Sequence, residues 1–222
     1  MFILTDLVDL VRQPFSALRL IDARRRLANG LLALGLSVTL PAAVAELAAL
    51  GPFRPPANLG SLPSLTAQGA DIYARWVYMH RFLIPVYGIG VSLVLWMAAA
   101  GLIHGIARAL GGRGNFAGLL KLLGYAALVG VVALPVGLVD ALLKLQGNAK
   151  AERYVGQLDA LLGVAIFLWQ NALLVIATRH HYAISTERAV AAVIGPIGAV
   201  LLLAVALVIL AIVLTIIAQQ PA

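Results

Sequence analysis

The chain has no cysteine. Disulfides, thiolate metal sites, iron–sulfur clusters and cysteine nucleophiles are therefore all excluded, and the redox state of its compartment leaves no mark on it. Charge is scarce as well: only 11% of the 222 residues are Asp, Glu, Lys or Arg, while 62% are hydrophobic. A chain with so little polar surface and a mean hydropathy of +0.99 does not make a soluble globule. The stretches of about ten alternating residues that mark barrel strands are missing too, so the expected fold class is an all-α integral membrane protein.

Acidic residues are fewer than basic ones, 9 against 16, for a net charge of +7. In a membrane chain that excess belongs to loops held at an anionic leaflet, and no nucleic-acid partner is expected. Catalytic signatures are also absent. There is no His-Glu-x-x-His, no Gly-x-Ser-x-Gly and no paired intramembrane carboxylates, so neither an enzyme nor a cofactor or metal site is expected. The first ten residues lack the basic start and small-residue cleavage site of a secretory signal and are expected to be retained.

What the chain does have is five apolar runs. The expected architecture is a segment over 1–30 followed by a five-span membrane domain over 31–218, with spans at 31–50, 82–106, 116–139, 158–178 and 189–218. Residues 1–29 alternate apolar and charged positions with helical spacing, interrupted at Pro14. They predict an amphipathic helix in the interface, with Arg19, Arg24, Arg25 and Arg26 near phosphates. The alternative is a docking arm for a partner.

The longest loop, GPFRPPANLGSLPSLTAQGA, is rich in proline and glycine. Tyr73, Trp76, Tyr78, His80 and Arg81 then form an aromatic belt before the second span. Gly101 and Gly105 flank His104 at the spacing of close helix contact, and His104 is read as a hydrogen-bonded structural histidine. Arg108 and Arg113 belong to a glycine-rich turn, GGRG, that leads into the third span. That span, with Gly124, Tyr125 and Pro135, is expected to be a packing centre.

Gln170 and Asn171 lie at mid-depth of the fourth span and need partners, and Tyr125 is expected to bond one of them. Glu46, Arg81, Asp140 and Lys144 come near the outer face and are expected to pair there as a collar. Orientation follows from the bases. With the N-terminus inside, Arg12, Arg19, Arg24, Arg25, Arg26, Arg108, Arg113, Lys121, Arg179 and Arg188 lie on the cytoplasmic side. Arg54, Arg75, Arg81, Lys144, Lys150 and Arg153 lie outside. Ten against six favours N-in, C-out.

Three stretches carry a family resemblance: RQPFSALRLIDARRRL, GGRGNFAGLLKLLGYA and LWQNALLVIATRHHYAISTERAVAAV. With five spans in this order, the chain resembles the prokaryotic branch of the Ypt-interacting-protein (Yip) domain family. The resemblance implies a polytopic membrane fold. It also suggests a scaffold or adaptor that works through membrane lipids and a membrane-protein partner or a second copy of itself. The family's Gly-Tyr element falls on Gly124 and Tyr125, but the proline that usually follows closely is replaced by a gap to Pro135. The acidic-Leu-Tyr-Gly-Pro signature before the first span is also missing, so binding of a Rab-type GTPase is not carried over. The reading set against the scaffold is a small transporter or channel lined by Glu46, His104, Asp140, Gln170 and Asn171.

Overall fold

The computed structural model describes residues 2–52, 67–196 and 198, and no strand occurs among them. Four helical stretches there are long and apolar enough to cross a membrane: Leu27–Ala49, Leu83–Ala109, Phe116–Gln146 and Lys150–Tyr182. The expected fifth span, 189–218, lies outside the described residues beyond Pro196 except for Gly198. Its first turns are helical over 186–196, with Ala189, Ala192 and Val193 buried.

Two short helices precede the spans, α1 (Phe2–Arg12) and α2 (Pro14–Arg24). They break at Gln13 because Pro14 disfavours helical geometry in the residue before it and is itself well placed in a first helical turn. The first span is α3 (Leu27–Ala49), which carries Pro41 inside it. The belt before the second span is itself a helix, α4 (Ala67–Met79), and α5 (Leu83–Ala109) follows.

The third span is divided. It begins as α6 (Phe116–Leu128), tightens to a 3₁₀ segment over Val129–Ala133 and resumes as α7 (Leu134–Gln146). Pro135 accounts for the division. Its nitrogen has no proton to donate and its ring crowds the carbonyl of Val131, one turn earlier. The fourth span, α8 (Ala149–Tyr182), starts nine residues before the expected Leu158. The polar stretch expected to be a loop is helical because Asn148 caps it, its side chain accepting from the Ala151 N–H at 3.2 Å, with Glu152 in the first turn.

The third span is the centre of the bundle. In its most apolar stretch 44% of residues are buried, against 11% to 17% in the other three spans, and α6 is buried without interruption from Leu119 to Leu128. Its closest neighbour is α3, and the approach is set by two glycines. A Cβ on Gly124 would overlap the Gly30 carbonyl, and one on Gly30 would come within 2.5 Å of the Lys121 Cα. Gly101 and Gly105, expected to mark close contact, have no neighbour among the described residues within 4 Å of the place a Cβ would occupy. Small residues permit close crossing only where a second backbone is present, which spacing alone does not reveal.

Candidate functional site

The polar chemistry concentrates at one end of the bundle, where α1 and α2 fold back onto α6 and α8. Leu10, Ala17, Leu18 and Ile21 of this arm are buried in the same core as Leu119, Leu122 and Leu123. Two acids adjoin that buried stripe at helical spacing, the buried Asp6 one turn from Leu10 and the partly buried Asp22 one turn from Leu18.

Asp22 is the first node. Its carboxylate lies 3.2 Å from the Lys121 ammonium and 3.0 Å from Nδ1 of His181, and Lys121 also donates to the Asp22 backbone carbonyl at 2.5 Å. Burial pushes the Asp22 carboxyl up, but the bonds and charges of His181 and Lys121 outweigh it and hold the group below its ordinary value of 3.8. The other ring nitrogen of His181, Nε2, is 3.1 Å from the Asn115 N–H and 2.9 Å from the Asn115 carbonyl. A neutral ring accepts from the first and a protonated one donates to the second, so His181 stays engaged in either state. Its seat exists because Gly118 lacks a side chain; a Cβ there would collide with the imidazole.

Asp6 is the second node. Arg25 donates to one of its oxygens at 2.7 Å and the Tyr125 hydroxyl to the other at 3.0 Å. The Arg25 guanidinium is held above its ordinary range, chiefly by its bond to Asp6. Tyr125 lies nine residues beyond Phe116, so α1 reaches ~13 Å along the bundle at about 1.5 Å per residue. Its hydrogen-bond partner is thus Asp6, not Gln170 or Asn171. Gln170 donates instead to the Ala127 carbonyl at 3.0 Å, and Asn171 to the Phe167 carbonyl of its own helix at 2.8 Å. Replacing Tyr125 with phenylalanine removes one bond to a charged acceptor but leaves Arg25 on Asp6. A fall of about 1–2 kcal/mol in unfolding free energy is expected in detergent titrations.

The Yip1 domain family model matches residues 8–217. The chain belongs to the Yip1 family. No curated protein and no solved structure matches it. In this Yip1 protein, the Gly124-Tyr125 element does two things at once: the glycine admits the α3 backbone, and the tyrosine holds the arm through Asp6.

The remaining residues singled out from the sequence are scattered. Arg19, Arg24, Arg26, Arg108 and Arg113 are exposed, whereas Arg25 is committed to Asp6. Nδ1 of His104 is 2.5 Å from the Tyr182 hydroxyl, joining α5 to the end of α8. At the opposite end, Asp140 pairs with Lys144 at 2.6 Å one turn along α7. Arg81 gives its N–H groups to the carbonyls of Ala49 and Tyr78, and Glu46 makes no ion pair among the described residues. The four therefore do not close into the expected collar. Arg81 is oriented by backbone carbonyls at the ends of α3 and α4, not by a carboxylate.

From the sequence Asp6 and Asp22 carry no site reading, and His181 only that of a pair with His180 from which no metal site is expected. Helical spacing puts Leu4, Leu7, Val8 and Val11 on one side of α1 and Asp6 off it, yet Leu4, Val8 and Val11 are exposed and Asp6 is buried one turn from Leu10, so the face that docks is not the one the apolar pattern marks. His181 had no local signal, because its partners lie 66 and 159 residues away.

Proposed function

We propose that this protein is a non-catalytic scaffold or adaptor of the prokaryotic cytoplasmic membrane, with its N-terminus inside and its C-terminus outside. It would work by presenting a fixed basic surface to anionic lipid and to a membrane-protein partner or second copy. The observation that carries this reading is the division of labour among the charges at the arm's end. The acids Asp6 and Asp22 are spent on docking the arm, while Arg12, Arg19, Arg24, Arg26, Arg108 and Arg113 stay exposed around it. An exposed surface of net positive charge, with Asp9 the arm's one exposed acid and Asp6 and Asp22 turned inward, favours phosphates and acidic partners.

Replacing Arg19, Arg24, Arg26 and Arg113 with glutamine is the test. Purification in mild detergent from native membranes, with mass spectrometry of proteins and lipids, is expected to show anionic lipid and a defined partner with the wild type, both depleted in the variant. A wild type recovered as a lone chain, with lipids in bulk proportion, overturns the proposal. A C-terminal reporter active in the cytoplasm overturns the orientation.

The transporter reading draws on a cavity of about 530 Å³ lined by Gln170 and Asn171, with Trp96 and Leu174. The amide nitrogens of both already donate to carbonyls, and apart from these amides and Ser92 the lining is apolar, which leaves little to select a polar solute.

A further inference from the structure

The end of the bundle opposite the arm holds a cavity of about 450 Å³, bounded by α3, α4, α5, the 3₁₀ segment, α7 and α8. Its lining is divided along its length. Arg81, Asp140, Lys144 and Asp159 are its charged members, two cations and two carboxylates, with Arg81 bonded at the last residue of α3 and Lys144, which lies beside Gly51 just after α3, paired to Asp140. From Ala48 the wall runs seven residues along α3 to Pro41, ~10 Å at about 1.5 Å per residue, and it is apolar there, with Val44 set against Gly137 of α7. The space is amphipathic, charged at its head and apolar along its stem.

The four charges sum to zero, so a simple anion or cation meets as much repulsion as attraction. A dipolar headgroup gains at both ends. Arg81 is held as a fixed positive charge by the Ala49 and Tyr78 carbonyls, each at 2.9 Å, with the Tyr78 ring centre 3.9 Å from its guanidinium carbon. Two of its five N–H groups are used in those bonds. Asp140 has the opposite shortage. One oxygen accepts from Lys144 at 2.6 Å, while the other is shielded from solvent and has no donor among the described residues. Such unmet acceptor capacity is unfavourable, and the group that relieves it must carry an N–H or O–H.

We propose that this cavity binds a phospholipid with a primary ammonium headgroup, of the phosphatidylethanolamine kind. Its phosphate lies with Arg81 and Lys144. Its ammonium lies with Asp140 and Asp159, a shift of the Asp140 side chain as a whole uncovering the shielded oxygen while Lys144 turns to the phosphate, and the start of an acyl chain follows the apolar wall of α3. A choline headgroup has the charge but no N–H to donate. A glycerol headgroup has no cation and brings a net negative charge beside two carboxylates. A free phosphate ester fits the head of the cavity but leaves its stem empty. The site is separate from the basic arm, so its failure leaves the scaffold reading untouched.

The test uses the full chain in nanodiscs made from equal parts phosphatidylethanolamine, phosphatidylcholine and phosphatidylglycerol. Native mass spectrometry then counts the lipids retained on release. The expected result is retained phosphatidylethanolamine, enriched about tenfold over phosphatidylcholine, the ratio a single charge-assisted hydrogen bond supplies. Asp140→Asn abolishes that enrichment. Asp159→Asn, at a half-exposed position, reduces it in a chain that still folds, as shown by an unchanged melting curve. Soluble phosphoethanolamine at the same concentration does not displace the lipid. Equal retention of the ethanolamine and choline lipids, preference for phosphatidylglycerol, wild-type enrichment in Asp159→Asn, or displacement by phosphoethanolamine each overturns the proposal.

Discussion

An alanine at Gly124 is expected to cost about 3 kcal/mol of unfolding free energy, and a valine to prevent folding, because the added carbon lands on the Gly30 carbonyl. Neither neighbour can yield cheaply. Gly30 is backbone, not a flexible side chain, and α6 is buried on both sides of Gly124, so relief comes only by prising α3 from α6. The control is Gly101→Ala, where nothing lies within 4 Å of the new carbon and the better helix former costs nothing. Thermal melts of both variants in the same detergent read the difference. A Gly124→Ala melt matching wild type would show that the α3–α6 crossing is looser than the structure has it.

The second large effect is on the arm. Asp22→Asn leaves the Lys121 ammonium, whose side chain is 9% exposed, without a carboxylate. Fully buried pairs lose about 3–5 kcal/mol when one partner is removed, and here the 19% exposure of Asp22 reduces the expected cost to about 2–3 kcal/mol. The absence of native cysteine makes this measurable, since Leu18→Cys places a single thiol at a buried position of α2. Maleimide labelling of that thiol is expected to accelerate about 30- to 160-fold in Asp22→Asn, the rate ratio corresponding to that free energy when the arm opens and closes rapidly. The double variant Asp22→Asn, Lys121→Met regains part of the protection because it leaves no unpaired charge. Labelling as slow in Asp22→Asn as in its parent would mean that the apolar stripe alone holds the arm.

The same node sets a pH dependence. The folded-state value of Asp22 lies below its ordinary 3.8, so the unfolded or undocked arm binds the proton more readily. The stability this contributes is fully present above the ordinary value and is lost as pH falls through the folded one. Protection of the Leu18→Cys thiol should therefore hold at neutral pH and fade on acidification below about pH 4.

Much of this fold is legible along the chain. Apolar run length marks the four described spans, Pro14 marks the break in the arm, and Pro135 marks the interruption of the third span, because each is a property of a few neighbouring residues acting through backbone geometry. The ends of the fourth span were less legible. Lys150, Glu152 and Arg153 read as loop by composition, but a capping asparagine and a first-turn acid support a helix over the same residues.

The partners were not legible. Tyr125 needed a hydrogen-bond partner by the rule for buried hydroxyls, and mid-span amides were the nearest candidates by depth; the actual acceptor is Asp6, 119 residues earlier, on a helix with no membrane-length run. Gly101 and Gly124 are alike in sequence, and only the second has a backbone against it. The sequence by itself determined that this is a helical membrane protein, where its described spans lie and which residues have unmet polar or steric needs, because apolar length and backbone chemistry act locally. The tertiary structure alone decided how those needs are met, folding the basic arm back so that Asp6 is buried and Asp22 partly buried against the third span. Pairing across such separations depends on which helix faces meet, and no local pattern records that.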